Sequence, residues 1–142
     1  IVGVTSKNVS LNADEVIDAK GKYVLPGGID PHTHLATSFM GVKGKDDHFT
    51  GTKAASWGGT TSIIGFATPG KGESTLEAVS TTRDAADGQV VIDYSLHPTI
   101  VNLSSENISQ IKTFIEMGMP SFKLYLVYRK EGIMADDGVL AL

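Results

Sequence analysis

The sequence predicts an α/β protein in which helices cover a parallel sheet. Two observations carry this. Strand-like and helix-like segments alternate four times, and the strand-like runs, such as Thr60-Thr61-Ser62-Ile63-Ile64-Gly65-Phe66, are mostly unbroken and apolar, as expected of strands covered on both faces. Pattern alone leaves two closures open: a doubly wound open sheet with ligands at its switch point, or a closed eight-stranded barrel with its site at the strand carboxyl ends.

In chain order, Ile1 to Val4, Val16-Ile17-Asp18 and Tyr23-Val24-Leu25 read as short β segments, with a turn at Ala19-Lys20-Gly21-Lys22. Gly28 to Leu35 reads as the first buried strand. The loop from Ala36 to Phe49 is long and polar for such a unit, and long loops often shape sites. Thr50 to Trp57 reads as a short helix capped by Thr50 or Thr52 and ended by Gly58-Gly59. Thr60 to Phe66 is the second strand, rich in β-branched residues. Glu73 to Asp87 reads as a helix with Leu76, Val79 and Ala86 inward, stopped by Gly88, and Val90 to Leu96 as the third strand. Ser104 or Ser105 caps a helix in which Ile108, Ile111, Phe114, Ile115 and Met117 recur at helical spacing, closed by Gly118 and Pro120. Ser121 to Tyr128 is the fourth strand. The closing "DDGVLAL" starts another helix, with Asp136 or Asp137 as cap and Val139, Leu140 and Leu142 as its apolar face. Both ends read as cut.

Composition narrows the partners. The 142 residues, 41% hydrophobic and 20% charged, suffice for one real core. A formal charge of −4, a pI near 5.5 and no long basic run offer no footprint for nucleic acid or an anionic bilayer. No apolar run approaches the roughly 18–20 residues of a membrane span. A small-molecule partner is expected. With no cysteine, thiolate sites are excluded, and a metal would need His or carboxylate ligands.

That directs attention to "PGGIDPHTHL", residues 26–35. The strand period of two places Asp30, His32 and His34 on one face. At a strand end that face can present two imidazoles to one cation, with Asp30 behind them; packing or surface histidines are the competing reading. Lys123 is a second anomaly, lying between Phe122 and Leu124 in "SFKLYLVY". Either it snorkels from an edge strand, or its pKa is lowered and its neutral amine acts as a nucleophile or takes up carbon dioxide as a carbamate, a carboxylate on a long arm.

Other candidates carry less. Gly65 to Gly72 matches a phosphate-binding loop up to its last place, where Gly72 replaces the hydroxyl residue. His48 reads as a solvated loop residue, and His97, before Pro98, as a residue that lines a pocket or caps a barrel layer. No Gly-x-Ser-x-Gly elbow is present.

Taken with His32, His34 and Lys123, the stretches "VIDAKGKYVLPGGIDPHTHL", "FTGTKAASWGGTTSIIGF", "VVIDYSLH" and "SFKLYLVY" resemble the first part of the dihydropyrimidinase/hydantoinase family of cyclic amidohydrolases, almost end to end. The resemblance implies that residues 1–25 belong to a small β-sandwich and residues 26–142 form the first four βα units of a (β/α)8 barrel. It makes His32 and His34 ligands of the more buried of two divalent ions, zinc expected, and Lys123, carboxylated, the bridge between them. Tyr128 becomes the hydroxyl that binds the substrate carbonyl as it turns into an oxyanion. Two further histidines and an aspartate acting as general acid and base are expected outside this chain. A whole barrel takes about 250 residues, so residues 1–142 are expected to be a fragment, inactive alone.

The implied reaction opens a dihydropyrimidine or a 5-substituted hydantoin to an N-carbamoyl amino acid, in a cytoplasmic homotetramer. Related readings are an allantoinase, a dihydroorotase, or a non-catalytic assembly protein of the same fold. Dihydroorotases place an arginine where Ala36 stands, which argues against an acidic substrate. Many hydantoinases carry a polar or acidic residue at that place and an aspartate where Gly65 stands, and both departures bear on the substrate. Phe39, Met40 and Ile133 are expected to set side-chain preference.

Overall fold

The computed structural model describes residues 3–5, 12–39, 41–101 and 105–140. In order, its elements are β1 (Gly28–Asp30), β2 (Ser38–Phe39), β3 (Val42–Lys43), α1 (His48–Trp57), β4 (Thr60–Ala67), α2 (Thr75–Ala86), β5 (Asp93–Pro98), α3 (Ser105–Glu116) and α4 (Asp137–Leu140). The main sheet is parallel with order β1-β4-β5, as the alternation predicts, and β2 and β3 form a separate antiparallel pair. Register runs unbroken from Ser62↔Asp93 to Ala67↔Pro98.

Against this sheet Ala67, Val79, Leu96, Ile100, Phe114 and Met119 form one buried cluster. Helix α2 gives Val79 to this cluster and also buries Thr75, Ala78 and Ala86; Leu76, expected inward, is 38% exposed. Of the expected stripe on α3, Phe114 is buried and Ile111 half-buried, while Ile108, Ile115 and Met117 are exposed. Among the described residues, no helix is long and apolar enough to cross a membrane.

Caps explain the helix starts. The Asp47 carboxylate accepts the Thr50 N–H at 2.7 Å and the Thr50 hydroxyl accepts the Asp47 N–H at 3.1 Å, a reciprocal box that places the cap three residues earlier than Thr50. Thr52, the other expected cap, lies inside the helix. Its hydroxyl donates to the His48 carbonyl at 2.6 Å and accepts the Val91 N–H at 3.1 Å. Ser74 and Glu77 form a second box, so α2 begins after Ser74 rather than at Glu73.

Strands β1 and β5 do not fill the runs read for them, because donors there are missing or diverted. Strand β1 ends at Asp30 because Pro31 has no N–H to donate, although pairing resumes at Thr33 N–H to the Ile64 carbonyl, 3.1 Å. Strand β5 starts at Asp93, not Val90. The Val90 N–H closes the end of α2 on the Ala86 carbonyl at 3.2 Å, and the Val91 N–H goes to Thr52.

The expected fourth strand reduces to two isolated bridges, Thr99↔Lys123 and Tyr125↔Met134. After the first, the chain turns to pair with itself, and Tyr128 at φ +70° interrupts any extended run. Val16, Ile17, Tyr23, Val24 and Leu25 are exposed and form no strand among the described residues. Ile1, Val2, Ser104 and Leu142, invoked for the first strand, a cap and the last helix, lie outside the described residues.

Candidate metal centre

The site is built at the carboxyl end of β1, where the chain continues as Pro31-His32-Thr33-His34 beside β4. Gly27 permits this approach. A β-carbon there would fall onto the Thr61 side chain of β4. Asp30 serves the backbone, its carboxylate accepting the His32 N–H at 3.0 Å, instead of standing behind a ring as the strand period suggested.

The two imidazoles meet at their tips, with Nε2 atoms 3.3 Å apart. Two nitrogens each about 2.0–2.1 Å from a tetrahedral zinc stand about 3.3 Å from each other, so the pair fits a shared cation. Burial first, then the charges of His32 and Lys123, push the His34 imidazole below its usual pKa. The neutral ring, which carries the free lone pair a metal needs, is thereby favoured.

Phe66 of β4 underlies this pair. Its ring centroid lies 4.6 Å from that of His32, 4.7 Å from that of His34 and 5.4 Å from that of His97. The Lys123 ammonium sits over the same ring at 5.4 Å and over Tyr125 at 5.1 Å. Backbone bonds hold it there, Lys123 N–H to the Pro98 carbonyl at 3.0 Å and Ile100 N–H to the Lys123 carbonyl at 2.9 Å.

His32, His34 and Lys123 are thus gathered around one aromatic ring. Tyr128, half-buried, joins through Tyr125, their ring centroids 5.5 Å apart and edge-on. Among the described residues, no group of three or more His, Asp or Glu stands together as a metal site. The donors gathered here are two imidazoles and a lysine.

Phe66 and the His97–Ser121 contact, 2.7 Å from Nδ1 to Oγ, escaped the sequence reading. An apolar residue in an apolar run carries no signal of what stands above it. His48 is the first residue of α1 and half-buried, not a solvated loop residue. In the near-match to a phosphate loop, the Glu73 carboxylate already accepts the Gly70 N–H at 2.7 Å. Of the residues expected to set side-chain preference, Ile133 is half-buried, while the Phe39 side chain and Met40 lie outside the described residues.

Comparison with known proteins places the chain in a family. The amidohydrolase family model matches residues 15–89. The chain is 44% identical over 140 residues to a D-hydantoinase of Geobacillus stearothermophilus, covering 98% of this chain and 30% of that protein. It is 46% identical over 127 residues to a dihydropyrimidinase of Rattus norvegicus, covering 89% and 24%. It superposes on the crystal structure of dihydropyrimidinase from Brevibacillus agri with a TM-score of 0.85 at 45% identity, covering 92% of this chain and 29% of that one. The chain therefore spans less than a third of the length of the relatives it matches.

Proposed function

The chain belongs to the amidohydrolase family, and from that premise we propose that its full-length protein hydrolyses cyclic amides. Residues 26–142 would form the first four βα units of its (β/α)8 barrel, and residues 1–25 part of a small β-sandwich. The observation that carries the reading is the pair of Nε2 atoms 3.3 Å apart, with the Lys123 ammonium over the shared Phe66 ring.

In this reading His32 and His34 would hold one divalent ion, zinc expected, and Lys123, once its neutral amine has added carbon dioxide and released a proton to leave an anionic carbamate, would help hold that ion and a second. When bound, the ions supply Lewis acidity and lower the pKa of water toward neutrality. The Tyr128 hydroxyl donates to the substrate carbonyl oxygen as negative charge grows there. An aspartate outside residues 1–142 is assigned the proton for the departing nitrogen. Water adds across the ring C–N bond, so a dihydropyrimidine or 5-substituted hydantoin becomes an N-carbamoyl amino acid. Ala36, a small apolar residue following Leu35, supports a substrate without a carboxylate to be clamped.

The full-length protein, reconstituted with zinc and bicarbonate, is to be incubated with dihydrouracil and with 5-substituted hydantoins, and the N-carbamoyl product quantified. H32A and H34A are expected to lose both bound metal and turnover. Retention of both in either variant overturns the assignment. A wild-type protein that takes up no zinc and leaves every substrate intact would instead belong with the non-catalytic assembly proteins of this fold.

A further inference from the structure

His97 does something the metal reading leaves unexplained. It stands at the carboxyl end of β5, with its backbone paired in register to Phe66 of β4. Strands β1 and β5 are not neighbours, since β4 separates them. Yet the His97 ring reaches over the central strand, its Nε2 lying 3.0 Å from the Pro31 carbonyl, the residue immediately before His32. A carbonyl only accepts, so Nε2 carries the proton. The ring Nδ1 lies 2.7 Å from the Ser121 hydroxyl, which can either donate or accept there. Ser121 is two residues before Lys123, whose own backbone is tied to Pro98 and Ile100. Both ring nitrogens are occupied, so this imidazole is spent as a ligand.

We propose that His97 is a positioning residue, a brace between the Pro31 carbonyl and the Ser121 hydroxyl that sets the separation of the His32–His34 pair from Lys123. The inference rests on the metal reading of the site. Metal sites are sensitive to such supports, and loss of one typically costs about 10–100-fold in metal affinity.

The test measures zinc affinity and the rate of zinc release to a chromogenic chelator for the full-length protein and its H97A, H97Q, H97N and H32A variants, alongside the melting midpoint of each zinc-free form. H97A is expected to bind zinc about 10–100-fold more weakly. H97Q, whose amide N–H can stand where Nε2–H stood, is expected to recover most of that loss. H97N, too short to reach Pro31, is not. Wild-type zinc affinity in H97A, beside loss of zinc in H32A, overturns the brace alone. Equal weakening in H97Q and H97N, tracking the melting midpoints, also overturns it, because the role is then only structural. If H97A fails to fold, the contrast between H97Q and H97N decides. Zinc retained by H32A overturns the metal reading and the brace with it.

Discussion

Thr52 is wholly buried, and its hydroxyl serves two backbones at once, donating to His48 and accepting from Val91. T52V keeps the shape and removes both bonds, stranding the Val91 N–H. A loss of about 1–3 kcal/mol is expected, read by urea unfolding, with T52S retaining most of the stability. Tyr94 offers a second residue-level test. Burial first, then its hydrogen bond to the Asp87 carboxylate, raises the pKa of its hydroxyl. Above about pH 10 an unfolded tyrosine has lost a proton that the folded one keeps. Its contribution is therefore complete below that pH and falls as pH rises through the raised folded value. Melting midpoints followed upward from pH 9 should decline less steeply in Y94F. At this scale, the candidates His32 and His34 stand out in the sequence by their spacing and Lys123 by its place between Phe122 and Leu124. Phe66 and His97 do not, since their meaning comes from contacts across β1, β4 and the segment around Ser121.

The helices were recovered at the level of elements because their ends carry local chemistry, glycines that stop and hydroxyl or acidic residues that start. At α1 the cap is Asp47 and not Thr50 or Thr52, because Thr50 is only one half of a reciprocal box. The Thr50 backbone N–H, first among its partners, holds the Asp47 carboxyl below the usual carboxylate range. The support that ionised Asp47 gives α1 is then present above about pH 4 and disappears as pH falls through the lowered value. D47A should fray the first turn, seen as faster amide exchange at residues 48–51, and should flatten the acid dependence of that exchange. Strands were read less well, because an apolar run does not reveal where its N–H groups go. Val90 and Val91 resemble β5 in composition but spend their donors on α2 and Thr52. Gly27 makes the packing of β1 testable in the same way. G27A should lower the melting temperature through collision with Thr61, and T61G in the same chain should return part of the loss as a coupling between neighbours.

For the molecule as a whole, one cluster around Val79 and Phe114 holds sheet and helices together. Phe114 is fully buried, and F114A should cost about 3–5 kcal/mol, read as a lower urea midpoint. The parallel α/β architecture was legible from alternation alone. Whether the sheet closes was not, because alternation of these strands and helices fits an open doubly wound sheet and a closed barrel alike. The order β1-β4-β5, with the Lys123 rung next, matches the order in which the residues leave the ribosome. Each strand joins an edge that its predecessor has already laid down, so no earlier pairing must be undone to admit a later one. A nascent chain can assemble this portion stepwise during synthesis, and its growing edge is the place where a chaperone would first be needed.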